Sequence, residues 1–470
     1  MHFWSAFAAT CVWVALMSID AGAAVETAPA NPSLLAAADT TRNRTSAPAT
    51  EAGDLAVTSD VPWNPPRALS RRHPWEQVLQ FPGRIVTVPI SALGYTVEHG
   101  LFWMEKTSFV TKATFAARDL RGRAGLSVRP ASLGDRTGLG GTIRMDTPFF
   151  GGALKNRVST ELSGSTRKYS GVVVTVKGEP GLLEYGQEWR PQDRFYGLGI
   201  ESVRDSVSDY ATQSQFARAR LRWTWNQEKR EEPRAAFAIW AGTRNVVTRN
   251  GRGDGTVSYH VRFPDLGAAT LDRHVEHFIY GTSLASDWRV GEPHWSQGWR
   301  VWLSAERYDR PIHPLALRVG QPRGAQFTRY DVEVETGKSF LRDPRTLRLL
   351  VRMTNQEVSS GGDRFLISDL PKLGGREGLS GFEAGRFHDL DLLATKISYI
   401  FPLVGRLELD VHTEWGAVHS NVWEDLKFST LRNSFGVALR GRLKHTPFGS
   451  IGVDFSPEKT RLRFSVGRVE

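Results

Sequence analysis

The sequence predicts an all-β fold, a closed antiparallel transmembrane β-barrel of about 16 strands with a short amino-terminal helical segment. Three observations favour this fold. Most of the 470-residue chain alternates apolar and charged side chains with a period of two. Several of its 15 tryptophans stand at the ends of apolar stripes. The chain also begins with an apolar run that has the form of an export signal.

Composition excludes several other classes of protein. The single cysteine, Cys11, lies inside the first apolar run, which excludes a disulfide scaffold and a zinc ribbon. After that run, no stretch approaches the roughly 20 consecutive apolar residues that a membrane helix needs. A helical membrane protein is therefore excluded, and one large all-β domain over residues 119–470 is favoured.

Three segments precede the predicted barrel. Residues 1–23 predict a signal peptide, with Ala21-Gly22-Ala23 as the cleavage site. Residues 24–72 predict a disordered linker, because they contain too few large apolar residues to offset the entropy of ordering. Residues 73–118 predict an amphipathic helical segment. This segment either lies at a membrane interface or under the barrel mouth, or packs as an ordinary helix on a soluble core.

The alternation has a consistent polarity in the predicted strands. Between Phe216 and Trp225, every second residue is arginine or threonine, and the residues between them are Ala217, Ala219, Leu221, Trp223 and Trp225. The same division recurs in four further segments, Leu347–Met353, Leu407–His412, Phe435–Lys444 and Arg461–Val466. Because successive side chains of a strand point to opposite faces, each segment predicts one apolar and one charged face.

A soluble sandwich also alternates, so the position of the aromatic residues decides between the two folds. A transmembrane barrel carries an apolar outer band with aromatic girdles at its rims, whereas its wet lumen tolerates charges. Aromatic residues end the apolar stripes at Trp223, Trp225, Trp299, Tyr399 and Phe401. The sequence therefore favours the membrane barrel, with the arginines in the lumen.

Three segments carry a more specific pattern. Residues 193–213 contain the run Phe195, Tyr196, Gly197, Leu198 and Gly199. Residues 370–403 contain Leu-Gly-Gly, then Gly-Phe, then Gly-Arg-Phe-His-Asp, with the key positions Gly374, Gly375, Gly381, Phe382, Arg386 and Asp389. A third segment, residues 407–418, places Glu414 two residues before Gly416.

In order and spacing these segments resemble the BamA/TamA family of outer-membrane proteins, the bacterial surface antigen domain. The resemblance implies a barrel in the bacterial outer membrane whose loop around Gly381 and Phe382 occupies part of the lumen. It also implies a role in the insertion or passage of a polypeptide client. Because residues 25–118 leave no room for a polypeptide-transport-associated (POTRA) module, we expect a member of the family without POTRA domains.

Two positions depart from the family pattern. The family's loop arginine pairs with an acidic residue on a strand, whereas this chain has Ser380 at the arginine position and Glu414 at the acidic one. Arg386 is the nearest replacement cation, which gives the hypothesis of a charge-assisted contact between Arg386 and Glu414. The alternative is that the two residues line the lumen with separate partners.

No motif in the sequence predicts an enzyme, a cofactor or a metal site. His274 and His277 lack the spacing that places two zinc ligands on one helical face. The net charge of +10 arises largely from arginines alternating along strands, so it predicts contacts with outer-membrane lipids or a basic lumen rather than nucleic acid. Two alternatives to the assembly function remain, a passive channel that favours anions and a structural surface antigen.

Overall fold

The computed structural model describes residues 126–131, 140–148, 157–178, 180–225, 234–251, 256–264, 271–272, 274–289, 297–309, 325–340, 345–359, 365–404, 407–443 and 446–466. All of them belong to one unit, Trp63–Glu470. The predicted signal peptide 1–23, linker 24–72 and amphipathic helical segment 73–118 lie outside the described residues and stay predictions.

The described chain is nearly all β, as the two-residue period predicts. Its strands are β1 Leu126–Ala131, β2 Gly140–Pro148, β3 Arg157–Ser165, β4 Ser170–Gly178, β5 Gly181–Phe195, β6 Ser208–Trp225, β7 Ala235–Asn250, β8 His274–Asp287, β9 Gly298–Asp309, β10 Phe327–Phe340, β11 Arg345–Val358, β12 Lys372–Leu373, β13 Phe387–His388, β14 Asp391–Val404, β15 Leu407–His419, β16 Arg432–Leu443, β17 Thr446–Phe455 and β18 Thr460–Val466. Two four-residue helices, α1 Tyr259–Arg262 and α2 Val422–Asp425, lie between strands. Among the described residues, no helix is long and apolar enough to cross a membrane.

Sixteen of the strands form one antiparallel sheet in which each strand pairs with its neighbour in sequence. The exception is the passage from β11 to β14, which are direct neighbours although β12 and β13 lie between them in the chain. Those two short strands pair only with each other. The antiparallel all-β prediction is therefore confirmed, and no pairing between β1 and β18 occurs among the residues described.

Residues 365–390, which connect β11 to β14, form what we call the inner segment, and the face of the sheet that it contacts is the inner face. The opposite, outer face exposes large apolar side chains along almost the whole sheet. These are Ile143, Met145, Leu162, Leu183, Leu221, Trp223, Ile239, Leu284, Leu303, Leu347, Ile397, Phe435, Ile451, Leu462 and Phe464. The predicted division holds in β6, where Leu221 is exposed and Arg220 lies over Trp240.

The sheet curves around the inner segment. This curvature follows from the contacts of the segment with strands that lie far apart in the strand order. Glu383 contacts Arg194 of β5 and also Lys459, which lies between β17 and β18. Arg204, between β5 and β6, donates to the carbonyl oxygen of Glu458 at 3.1 Å. The connections at these two distant places in the strand order therefore meet over the inner segment.

Candidate functional site

The inner segment is anchored to the inner face by an apolar cluster. Its own buried members are Leu373, Leu379, Phe382 and Phe387, and they pack with Ile200, Leu392, Ala394 and Val418. The Phe382 and Phe387 rings meet edge to face, with centroids 5.3 Å apart. Burial of four large side chains makes this cluster the main apolar anchor of the segment on β14 and β15.

Glycines allow the tight path of the inner segment. Gly374 has φ = +118°, a conformation that side chains with a Cβ rarely adopt. A Cβ at this position would lie 2.2 Å from the carbonyl oxygen of Glu383. Gly381 has an ordinary φ, but a Cβ there would lie 2.6 Å from the carbonyl oxygen of Phe455 on β17. The two glycines are required for different reasons. Gly374 allows the backbone conformation, whereas Gly381 allows the segment to approach β17 closely.

Ser380 contacts the acidic strand residue by its backbone rather than by a charge. Its amide donates to Glu414 Oε2, and Ser434 Oγ on β16 donates to the same oxygen at 2.9 Å. The other oxygen of Glu414 accepts from Lys396 Nζ of β14 at 2.9 Å. Glu414 is buried, so Lys396 supplies the compensating charge that a buried carboxylate needs.

The predicted contact between Arg386 and Glu414 is wrong. Arg386 Nε lies 2.9 and 3.0 Å from the two carboxylate oxygens of Glu458, on the turn between β17 and β18. Its remaining nitrogens donate to the hydroxyl and the carbonyl oxygen of Ser202, at 2.8 and 2.7 Å. Arg386 and Glu414 therefore have separate partners, because the inner segment directs Arg386 toward the sheet rim and Ser380 toward β15.

Arg386 is almost fully buried, and aromatic rings enclose the faces of its guanidinium. The Phe387 and Tyr196 ring centroids lie 4.6 and 4.9 Å from its Cζ atom. A planar guanidinium suits this site because it can stack on rings while it binds a carboxylate in its plane. Lysine would keep the charge but lose both the fork and the stacking.

Glu383 forms a second ionic anchor close to the first. Its Oε2 accepts from Arg194 Nη1 at 2.9 Å and from the Tyr196 hydroxyl at 2.5 Å. Its Oε1 accepts from Lys459. Arg461 of β18 donates to the carbonyl oxygens of Ser380 and Phe382, so the strand at the end of the sheet also holds the segment.

The structure brings together the first two of the three motif segments, residues 193–213 and residues 370–403. Gly199 N donates to the carbonyl oxygen of His388 at 2.9 Å, and Leu198 forms an isolated parallel bridge with the same residue. The Phe195 ring meets the His388 ring edge-on at 5.2 Å. Gly199 has φ = +81° and Asp389 lies beside it, since a Cβ on Gly199 would be 3.7 Å from Asp389 Oδ2.

Burial changes the ionisation of the inner segment. Burial and the nearby Lys372 hold the pKa of His388 well below its usual value, so its ring is neutral at pH 7. Burial opposes the charge of Lys372, but the Tyr210 hydroxyl, which its Nζ contacts at 2.8 Å, and Asp193 raise its pKa above the usual value. Burial raises the pKa of Asp389.

A buried polar cluster next to Ser380 resembles a catalytic arrangement only at first sight. Ser380 Oγ is 3.4 Å from His412 Nε2, but the same nitrogen is 3.0 Å from Asp454 Oδ1. The nearer carboxylate takes this nitrogen, so the ring is poorly placed to accept a proton from serine. Arg440 binds Asp410, which lies two residues before His412 on β15. In the described residues no group of three metal-binding side chains is close enough to hold an ion.

Many inner-face arginines are paired with carboxylates rather than lining an unpaired basic surface. These pairs include Arg289 with Asp287 and Glu335, Arg300 and Arg352 with Glu333, Arg329 with Asp331, and Arg244 with Asp369. A cavity of about 570 Å³ lies between β5, β6, β9–β11 and the inner segment, and its lining mixes both signs of charge. Its charges largely compensate one another.

Sequence reasoning missed Lys396, Ser202 and Glu458, which are the partners of Glu414 and Arg386. The sequence could have predicted that Lys396 lies on the inner face, because the two-residue period of β14 places it on the charged side of the strand. In the structure Glu414 of β15 lies directly opposite it. Ser202 and Glu458 lie in connections, where no period operates. Nothing in the sequence singles them out.

Comparison with known proteins shows similarity at the level of fold. No family model matches the chain, and no curated protein does. The structure of BamA from Haemophilus ducreyi lacking POTRA domains 1-3 matches with a TM-score of 0.50 and 11% identity, over 74% of this chain and 69% of that one. The described chain thus has the nearly all-β antiparallel architecture of BamA-like barrels.

Two structures of CdiB match more weakly. CdiB from Acinetobacter baumannii has a TM-score of 0.44 and 12% identity, over 73% of this chain and 64% of that one. CdiB from Escherichia coli has a TM-score of 0.44 and 14% identity, over 71% and 60%. The chain spans less than two thirds of either CdiB structure.

Proposed function

We propose that the protein is a bacterial outer-membrane β-barrel, closed by pairing of β1 with β18, that aids the insertion or passage of a polypeptide. It performs no catalysis, and its partners are outer-membrane lipids and a polypeptide client. The observation that carries the proposal is the anchored inner segment. Arg386 and Glu383 attach it to connections and strands on widely separated parts of the sheet.

The outer face supports a membrane location. Large apolar residues are exposed on almost every strand from β2 to β18, for example Ile143, Leu303 and Phe464. A continuous apolar surface of this extent is unfavourable in water, whereas the hydrocarbon of a bilayer accommodates it. The charges are concentrated on the inner face, where water can enter.

The strand order supports closure. Sixteen consecutively antiparallel strands leave β1 and β18 antiparallel to each other, so they can pair without a change of direction. Their free edges would otherwise leave backbone amides and carbonyls unpaired in hydrocarbon, at a cost of several kcal/mol per group. Closure removes that cost.

The charges of the inner face support a passive anion channel less well than they support a barrel that is plugged by the inner segment. An anion path needs arginines or lysines whose charge is available to the ion, but carboxylates compensate Arg289, Arg300 and Arg329. The inner segment also occupies space along the inner face. Passage of a large substrate therefore requires release of the segment. Release can begin at Glu458 and Lys459, the half-buried partners of Arg386 and Glu383.

Planar-bilayer conductance tests the plugged design. We expect the refolded protein to show a small, mostly closed conductance and expect deletion of residues 374–389 to produce large steady openings. Glu458→Gln, which removes the negative charge that pairs with Arg386, should give intermittent openings. Glu424→Gln is the matched control, because Glu424 is an exposed acid on α2. A large, steady, anion-selective current in the unmodified protein would favour the passive channel.

A folding assay tests the assembly function. Vesicles containing the protein are mixed with a small urea-denatured outer-membrane barrel, and its folding is followed by its shift in gel mobility without heating. We expect folding to be faster than in empty vesicles, and slower again with a variant locked by cross-linking the inner segment to β15. Equal rates in all three preparations would exclude the assembly function.

A further inference from the structure

The rim where strands are joined by short connections carries cations on the outer face. Lys338 of β10 lies opposite Leu347 of β11, and Leu347 lies opposite Tyr399 of β14. Arg345, two residues before Leu347, lies diagonally beside Lys338 on the same face. We call Lys338, Arg345, Tyr399 and Phe401 the rim cluster.

Neither cation of the rim cluster is paired with a carboxylate within the described part of the chain. Lys338 is exposed. Arg345 donates through Nη1 to the Tyr399 hydroxyl at 3.3 Å, and its Cζ lies 5.8 Å from the centre of the Phe401 ring. Its Nε is buried and has no hydrogen-bond partner. Among the described residues, the guanidinium is thus positioned by neutral groups and has no carboxylate partner.

The inner face of the same strand differs. Arg348 and Arg352 of β11 bind Glu335 and Glu333 across the sheet. In the part of the chain that the structure describes, β11 therefore pairs these two inner-face arginines with carboxylates but gives Arg345 no such partner. If the outer face meets a bilayer, as the proposed function requires, an unpaired cation there is stable only at headgroup depth, where anions are available.

The residues around the rim cluster are of the kinds that contact a lipid acyl chain and the membrane–water interface. Leu347 and Ile397 expose apolar side chains on the side of the cluster toward the middle of the sheet. Two further aromatic residues lie at the same rim, Trp288 just after β8 and Trp299 near the start of β9. Their ring centroids are 5.9 Å apart. An apolar surface that ends in aromatic rings and then in two cations matches a lipid from tail to phosphate.

We propose that Lys338 and Arg345 bind the phosphate headgroup of an anionic glycerophospholipid in the leaflet at this rim. The lysine and the arginine provide the positive charge, and the arginine can donate two parallel hydrogen bonds to phosphate oxygens. The Tyr399 hydroxyl orients the guanidinium. The acyl chains lie along Leu347 and Ile397.

Native mass spectrometry of the full chain released from nanodiscs tests this site. The nanodiscs contain equal parts of dioleoyl phosphatidylglycerol and dioleoyl phosphatidylcholine. We expect the protein to retain phosphatidylglycerol preferentially. Lys338→Gln with Arg345→Gln should reduce that preference by about tenfold, since each cation near an anionic headgroup contributes a severalfold change in affinity. Arg345→Lys should preserve most of it.

The matched control is Arg167→Gln with Lys168→Gln. Both residues are exposed on the connection between β3 and β4, at the opposite rim, and the change in net charge is the same. An equal loss of preference in this control would overturn the proposal in favour of a general charge effect. Equal retention by the rim variant and the unmodified protein would also overturn it, as would full displacement of phosphatidylglycerol by inorganic phosphate alone.

The outcome for the lipid site is separate from that for the barrel. Folding of each variant is first checked by gel mobility without heating, in vesicles of phosphatidylcholine alone. A protein that does not fold there contradicts the proposed membrane barrel. A protein that folds there but shows no lipid preference contradicts only the lipid site.

Discussion

Lys396 of β14 neutralises Glu414 of β15, with Nζ 2.9 Å from Oε1, at the position where the inner segment meets the wall. The inner segment itself reaches Glu414 only through the amide of Ser380. The cation thus belongs to the wall and not to the segment. The segment can therefore leave Glu414 without stranding a buried carboxylate, which reduces the electrostatic cost of release.

The first prediction concerns this pair. Lys396→Met should destabilise the folded protein by about 3 kcal/mol, because it leaves Glu414 buried without a compensating charge. Lys396→Met combined with Glu414→Gln should recover part of that loss. Urea unfolding in vesicles, followed by tryptophan fluorescence, measures both. Additive losses would show that the two residues are not energetically coupled.

The second prediction concerns Arg386. Arg386→Glu should release the inner segment near the rim, and adding Glu458→Arg should restore it, because the reversed pair can form the same contact. Protease cleavage within residues 374–389 reports the release. Arg386→Glu with Glu414→Arg is the control, and it should not restore protection. Recovery in this control would mean that Arg386 acts through Glu414 after all.

The third prediction concerns the backbone of the inner segment. Gly374→Ala should cost about 1–3 kcal/mol, since alanine is strained at positive φ and its Cβ would overlap the carbonyl oxygen of Glu383. Gly164→Ala in β3 is the control, because nothing lies within 4 Å of its Cβ position. Urea unfolding compares the two variants. Similar stability of both would contradict the observed path of the segment.

The fourth prediction tests which face meets lipid. Leu303→Arg should cost about 2–4 kcal/mol, because Leu303 is exposed on the outer face near the middle of β9. Ser304→Arg should be better tolerated, since Ser304 lies on the inner face beside Asp331. Folding yield in vesicles, read from gel mobility without heating, compares the neighbours. Equal tolerance would contradict a lipid-facing outer surface.

Much of the sheet was predictable because its signal is local. The two-residue period of β6 and β18 assigns Leu221 and Phe464 to the outer face and Arg220 and Arg461 to the inner face, since the pleat alone determines which side a residue takes. The turn that joins two adjacent strands likewise depends on only a few neighbouring residues, so it too can be predicted from the sequence. The sequence by itself therefore determined the antiparallel all-β architecture, the polarity of its faces and the segments that contain the site.

The tertiary structure alone decided the partners within that site. Arg386 binds Ser202 and Glu458, which are 184 and 72 residues away in the chain. Glu414 is 18 residues from Lys396, but only the register of β14 on β15 places the two side by side. Sequence proximity made Arg386 the apparent replacement for the cation missing at Ser380. The path of the inner segment instead turns Arg386 toward the connections between strands. That path depends on the backbone conformation and the packing of its glycines, and both are determined by contacts with distant parts of the chain. The polarity of a strand, in contrast, depends only on neighbouring residues.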